Sequence, residues 1–84
     1  MIIITKSNGK RSPKVENMDD VTIIQYYLDG MDAQDRYEKS YEDAKARGDE
    51  KTAGSVSFYL MITRDSLQAL MSEINFRELE WIVE

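Results

Sequence analysis

The strongest pattern in the sequence is a mostly apolar series spaced at alternating intervals of three and four residues. It comprises Ala53, Val56, Leu60, Thr63, Leu67, Leu70 and Ile74. Residues spaced this way lie on one side of an α-helix, so the pattern predicts a long helix over residues 50–74. Additional apolar residues widen that side beyond a coiled-coil seam: Phe58, Met61, Ile62, Ala69 and Met71. Other elements of the fold, or a second chain, must therefore cover it.

A shorter first helix is expected at about residues 20–29. Asp19 and Asp20 are suitable N-cap residues, and Gly30 is a suitable C-terminal stop. Between them, apolar residues recur at helical spacing: Val21, Ile24 and Leu28. The same segment is rich in residues that favour strands, so a strand is the alternative.

A second helix is expected from Asp32, which can cap it, to Arg47. Gly48 can end this helix, and Asp49 can cap the long helix that follows. Because so short a connection turns the chain back on itself, the second and third helices should be antiparallel neighbours.

The two ends of the chain are predicted to form strands. Residues 2–5, Ile-Ile-Ile-Thr, are β-branched, and Asn8-Gly9 favours a two-residue hairpin turn. That turn predicts a short return strand, which Pro13 would confine to a sheet edge. Residues 76–84 show a two-residue alternation that predicts a terminal strand able to pair with residues 2–5. A continuation of the long helix is the alternative for this last segment.

These elements predict an α+β fold. A small antiparallel or mixed sheet from the N- and C-terminal segments packs on three helices, which include a long helical hairpin. The alternative is an all-α bundle with an ordered N-terminal strand. At 84 residues, the chain has the size of a single small domain, residues 1–84, with a small core.

Two residue types are missing: the chain contains no cysteine and no histidine. Their absence removes disulfides, zinc sites built on thiolates or imidazoles, and catalysis by either side chain. The sequence also lacks a glycine-rich nucleotide-binding motif, a P-loop and an EF-hand loop. We therefore expect no catalytic residue, no metal and no cofactor, and we predict that the chain is not an enzyme.

The sequence contains no apolar run near the ~20 residues that a membrane-spanning helix needs. The opening MIIIT is too short for the apolar part of a secretion signal, and no basic segment precedes it. These features predict a cytoplasmic protein with no membrane partner.

Acidic residues are concentrated between Glu16 and Glu50, where the sequence has eleven acids and four bases. Asp35, Glu38 and Glu42 have the spacing of one helix face. Tyrosine is enriched at protein interfaces, and the chain has five tyrosines. The candidate partner-binding residues are Asp32, Asp35, Glu38, Glu42, Tyr26 and Tyr37.

A ridge of carboxylates can imitate a phosphate backbone and occupy a basic surface of another protein. In size and charge the chain is similar to small acidic inhibitors made by phages and other mobile elements. We therefore predict a non-catalytic protein–protein interaction module, an adaptor or inhibitor whose partner has a basic surface. A homodimer through the excess apolar side of the long helix is a further hypothesis. The simpler interpretation is that these acids are helix caps and members of solvent-exposed ion pairs.

Positive charge is concentrated at the other end of the chain. The candidate phosphate-binding residues are Lys6, Lys10, Arg11 and Lys14, and no acidic residue lies among them. The alternative function is therefore a nucleic-acid-associated accessory protein that contacts phosphates through residues 6–14. The simpler interpretation is an exposed turn whose lysines protect a sheet edge from aggregation.

Overall fold

The computed structural model describes all 84 residues. Its elements, in chain order, are β1 (Ile2–Lys6), α1 (Asp20–Ala46), α2 (Glu50–Arg77) and β2 (Glu80–Val83). The two helices form a hairpin, and the two strands form an antiparallel sheet at one end of it. The molecule is elongated, with extents of 49 × 29 × 16 Å. Neither helix is long and apolar enough to cross a membrane.

The prediction of three helices is wrong, because the first two are one continuous helix, α1. Gly30, expected as a stop, lies inside α1 where Leu67 of α2 approaches closely. A β-carbon at Gly30 would lie 2.7 Å from Leu67 Cδ2, so the missing side chain lets the two helices come together there. Asp32, expected as a cap, forms an exposed ion pair with Arg36 at 3.7 Å instead.

The predicted N-caps Asp19 and Asp49 and the turn at Gly48 are confirmed, whereas α2 continues to Arg77, three residues beyond its predicted end. Asp19 Oδ1 accepts a hydrogen bond from the Thr22 amide at 2.8 Å, and Asp49 Oδ1 accepts one from the Thr52 amide at 3.1 Å. Hydrogen bonding from the side chain of Thr22 or Thr52, and then from its backbone amide, holds the pKa of each aspartate below its usual value. Gly48 adopts the left-handed conformation, with φ of 72°, that a tight turn between helices requires.

The sheet made of the two chain ends is confirmed in its antiparallel form. Ile3 of β1 lies opposite Ile82 of β2, and Ile4 lies opposite Trp81. A bulge interrupts the pairing between Ile4 and Lys6. The strand at the C-terminal end also excludes the alternatives of an all-α bundle and of a helix that continues to the end of the chain.

The predicted N-terminal hairpin is wrong, since no return strand follows Asn8-Gly9. The Asn8 amide donates to the Arg77 carbonyl, and Asn8 Nδ2 donates to the Phe76 carbonyl, both at 2.9 Å. The last carbonyls of a helix lack partners within the helix, so they accept these bonds readily. Asn8 therefore attaches the loop of residues 7–19 to the C-terminal end of α2.

The hydrophobic core lies where the sheet, this loop and one end of the hairpin meet. Its fully enclosed members are Ile23, Ile24, Ile74 and Leu79. Partly buried side chains surround them: Ile2, Ile4, Val15, Met18, Tyr27, Leu28, Leu70 and Trp81. The opposite end of the hairpin, residues 35–65, projects beyond this core and is called the distal arm below.

A buried arginine connects the elements around the core. Arg77 Nε donates to Glu73 Oε2 at 2.8 Å, and Arg77 Nη1 donates to Asp20 Oδ1 at 2.9 Å. The guanidinium also donates to the carbonyls of Met18 and Val15, both at 2.8 Å. One side chain thereby joins the end of α2, the start of α1 and the connecting loop.

Candidate interaction surfaces

The distal arm exposes more apolar surface than its partner helix can cover. In residues 58–62 of α2, only Leu60 is buried against α1. The others are about half exposed: Phe58 (56%), Tyr59 (51%), Met61 (54%) and Ile62 (46%). A helix that is apolar on all sides is normally buried on all sides, so this stretch is a candidate surface for a partner.

An acidic groove runs along one side of the distal arm. It is lined by Glu38, Tyr41, Glu42, Ser57, Leu60, Met61, Arg64 and Asp65 and has a volume of about 630 Å³. Glu42 and Asp65 form no ion pair, so their charges are available to a ligand. The groove thus combines free carboxylates with the exposed side chain of Met61.

Glu38 takes part in contacts within the hairpin. Its Oε1 accepts hydrogen bonds from Gln34 Nε2 at 3.1 Å and from Arg64 Nη2 at 3.3 Å. These two bonds hold the pKa of Glu38 below its usual value. Arg64 lies on α2, so its ion pair with Glu38 joins the two helices and partly neutralises the charge of Glu38.

An apolar groove lies on the other side of the hairpin and has a volume of about 570 Å³. It is lined by Met18, Tyr26, Gly30, Ala33, Tyr37, Ile62, Thr63, Ser66, Leu67, Ala69 and Leu70, none of which is charged. The ring of Tyr37 stacks on that of Tyr59, with 5.8 Å between centroids. This stack fixes the rim of the groove nearest the tip of the distal arm.

The structure divides the predicted partner-binding residues between these two surfaces. Glu38 and Glu42 line the acidic groove, whereas Tyr26 and Tyr37 line the apolar groove. A single flat partner surface therefore cannot contact all four side chains.

The two remaining candidates line neither groove. Asp35 is exposed and lies one helical turn before Glu38 on α1. Asp32 is engaged by Arg36 on the solvent side of the same helix. The sequence did not predict the other residues that line the acidic groove, which are Tyr41 on α1 and Ser57, Leu60, Met61, Arg64 and Asp65 on α2.

The predicted phosphate-binding residues lie at the end of the molecule opposite the distal arm. Lys6 ends β1, and Lys10, Arg11 and Lys14 lie in the loop that crosses the C-terminal end of α2. None of the four forms an ion pair, although Arg11 Nη1 donates to the Glu16 carbonyl at 3.1 Å. Positive charge is favourable beside a helix C-terminus, where the helix dipole is negative.

The structure places no group of three or more acidic side chains where it would hold a metal ion. No protein-family model, no curated protein and no solved structure matches the chain.

Proposed function

We propose that this chain is a non-catalytic protein–protein interaction module whose acidic groove binds a basic segment of a partner protein. The observation that carries the proposal is the half-exposed apolar side chain of Met61 beside the unpaired carboxylates of Glu42 and Asp65. The apolar side chains supply surface to bury, and the carboxylates select positive charge.

The groove favours a segment that carries both an apolar side chain and arginine or lysine. An apolar side chain of the partner packs on Leu60 and Met61, where contact removes apolar surface from water. A cation beside it pairs with Glu42 or Asp65, which sets orientation and accelerates association. Arginine suits the site better than lysine, because its planar guanidinium can also stack on Tyr41.

In this proposal the chain acts in the cytoplasm as a small adaptor or inhibitor, of the kind that phages encode. By occupying a basic surface, it prevents that surface from binding phosphate groups. The net charge of −5 supports this role, because it favours encounter with basic proteins and disfavours encounter with nucleic acid.

The test is affinity capture from nuclease-treated lysate with three matched proteins. These are the unmodified chain, the double variant Glu42→Lys with Asp65→Lys, and the control Asp43→Lys. Asp43 is exposed on α1, lines neither groove and forms no ion pair. Asp43→Lys therefore reverses one charge outside the groove, which is half the change in net charge that the double variant makes.

The proposal expects a protein that the unmodified chain and the control both capture and that the double variant loses. Titration of that protein, once purified, should show at least a tenfold weaker affinity for the double variant, about 1.4 kcal/mol. If the double variant captures the protein as well as the unmodified chain does, or if Asp43→Lys weakens capture as much as the double variant does, the acidic groove is not the binding surface.

A second candidate function is phosphate binding through Lys6, Lys10, Arg11 and Lys14. Two observations favour it: none of these residues forms an ion pair, and the acidic groove lies at the opposite end of the hairpin. The probe is a mixed-sequence oligonucleotide, tested as duplex DNA and as single-stranded RNA over a range of salt concentrations. Salt-dependent binding that Lys10→Glu with Arg11→Glu abolishes would support this function, and the absence of binding at low salt would refute it.

A further inference from the structure

The outer edge of β1 is a separate surface with its own chemistry. The sheet has only two strands, so each strand has one edge that no strand of the chain covers. No hydrogen bond from a loop, a helix end or a side chain reaches the backbone of residues 2–6. The outer edge of β1 therefore offers unpaired backbone donors and acceptors, which an extended chain can satisfy.

The hydrogen-bond pattern identifies which residues point outward. Met1 and Glu84 exchange two bonds: the Met1 amine donates to the Glu84 carbonyl at 2.6 Å, and the Glu84 amide donates to the Met1 carbonyl at 2.8 Å. Such pairs alternate along an antiparallel ladder, so Ile3 and Ile82 form the next one. The N–H and C=O groups of Ile2 and Ile4 consequently point away from β2.

We propose that two copies of this chain dimerise by pairing their β1 strands antiparallel about a two-fold axis at Ile3. In this register, Ile2 of each copy exchanges backbone hydrogen bonds with Ile4 of the other, so all four outward groups of each strand are used. Ile3 then lies directly opposite its own counterpart. The two sheets become one four-stranded sheet with strand order β2-β1-β1-β2.

Charge and symmetry favour this edge over that of β2. Antiparallel pairing of β2 with its copy about Ile82 would put Glu80 of one chain opposite Glu84 of the other, and like charges directly opposite are destabilising. Pairing β1 with β2 of another copy uses different surfaces on the two chains and does not close, which leads to open-ended assembly. The β1 pairing closes at two copies and contains no charged residue between Ile2 and Ile4.

The dimer also extends the sheet, which has only two strands in the single chain. In the single chain the two strands are stabilised by packing on the helices, and extension to four strands adds hydrogen bonds over the same hydrophobic layer. The half-buried side chains of Ile2 and Ile4 gain β-branched cross-strand neighbours on the face that packs on the core. The acidic groove lies on the distal arm, so pairing at β1 leaves it open.

The test exploits the position of Ile3 on the two-fold axis. Ile3 lies on the side of the sheet away from the core cluster and is only partly buried, so a charged side chain at this position can reach solvent. Ile3→Lys and Ile3→Glu place like charges opposite each other, and each variant alone should be monomeric. An equimolar mixture of the two should form heterodimers, because opposite charges then meet. Ile82→Lys is the matched control on the same side of the sheet but away from the axis.

Sedimentation equilibrium over a range of concentrations gives the readout. The proposal expects a concentration-dependent dimer for the unmodified chain and for Ile82→Lys, monomers for each Ile3 variant, and recovery of the dimer in the mixture. A chain that stays monomeric at all concentrations refutes the proposal, as does a dimer that persists in both Ile3 variants.

Amide hydrogen exchange of the unmodified chain tests the register without any variant. The amides of Ile2 and Ile4 should become protected as the concentration rises, while the amide of Ile3 is protected throughout by the ladder to β2. If the amides of Ile2 and Ile4 exchange at the same rate at low and high concentration, this edge does not pair. That result would overturn the proposal even if the chain dimerised through another surface.

Discussion

Arg77 is fully buried and donates from Nε to Glu73 Oε2 at 2.8 Å, one turn earlier in α2. The carboxylate also accepts the Ser12 amide at 3.1 Å, so it holds both the guanidinium and the loop. Together the two residues attach the loop of residues 7–19 to the helical hairpin. The basic end of the molecule therefore depends on a pair of charges in the interior.

Replacement of Arg77 by methionine should destabilise the protein strongly. Arg77→Met leaves the buried Glu73 carboxylate without its cation, a change that typically costs about 3–5 kcal/mol. The double variant Arg77→Met with Glu73→Met should lose less than Arg77→Met alone, because no uncompensated charge remains buried. Urea unfolding followed by circular dichroism measures both values.

Arg64→Met is the matched control, since Arg64 pairs with Glu38 in a solvent-exposed setting. It should change the free energy of unfolding much less than Arg77→Met does. Equal losses from the two substitutions would contradict the structural role assigned to Arg77.

Gly30 and Gly54 should respond in opposite ways to substitution by alanine. At Gly54, inside α2, an added β-carbon has no neighbour within 4 Å, so Gly54→Ala should stabilise the protein by up to about 1 kcal/mol through helix propensity. At Gly30 the added β-carbon would collide with Leu67, and such overpacking costs about 1–3 kcal/mol of stability. This cost should outweigh the gain in helix propensity, so Gly30→Ala should destabilise the protein. Thermal unfolding of both variants measures the contrast.

A double-mutant cycle isolates the Gly30–Leu67 contact. In a Leu67→Ala background the obstruction is removed, so Gly30→Ala should become stabilising. A destabilising effect of similar size in both backgrounds would show that Leu67 is not the reason for the glycine.

Stability should fall in acid, and Glu73 should contribute to that fall. Burial opposes ionisation of Glu73, but hydrogen bonds from Ser12 and Arg77 outweigh it and lower its pKa. The unfolded chain therefore binds the proton more tightly, and the stabilisation present above the usual pKa of a glutamate is lost as the pH falls below it. Urea midpoints measured across this range should decline less steeply in Glu73→Gln than in the unmodified chain. If the urea midpoint falls with pH equally steeply in Glu73→Gln and in the unmodified chain, Glu73 does not contribute to the loss of stability in acid.

Local signals in the sequence were sufficient to predict where α1 and α2 begin and where the chain turns between them. Asp19 and Asp49 cap their helices through backbone amides only three residues away, so the pattern of nearby residues identifies them. The terminal strand followed from its two-residue alternation, and the apolar, β-branched residues 2–5 were a strand with which it could pair. These features depend on short stretches of chain and on general packing rules.

The errors came from contacts between residues distant in sequence. Gly30 has the local character of a helix stop. Its actual role is to let Leu67 approach α1, and that depends on packing between two residues 37 positions apart in the chain. Asn8-Gly9 has the local character of a hairpin turn, but Asn8 instead binds the end of α2. Tertiary hydrogen bonds and packing overrode local preference in both places.

The candidate site was predictable only in part for the same reason. Glu38 and Glu42 are identifiable from their spacing on one helix. Their neighbours Met61 and Asp65 depend on the alignment of α1 against α2, which spacing within one helix does not specify. The burial of Arg77 had no sequence signal, since arginine at a helix end is usually exposed.

The most direct test of the acidic groove is site-specific photocrosslinking in cells that naturally contain this protein. A photoreactive phenylalanine analogue replaces Met61 in the acidic groove, or replaces Phe76 near the basic loop as the control. Both side chains are about half exposed, so they sample their surroundings equally.

We expect the probe at position 61 to crosslink to a discrete protein through a segment rich in arginine or lysine. The probe at position 76 should not crosslink to that segment, and Glu42→Lys with Asp65→Lys should abolish the crosslink from position 61. Crosslinking of the same protein from both positions, or crosslinking from position 61 that survives reversal of both charges, would contradict the claim that the acidic groove is the binding surface.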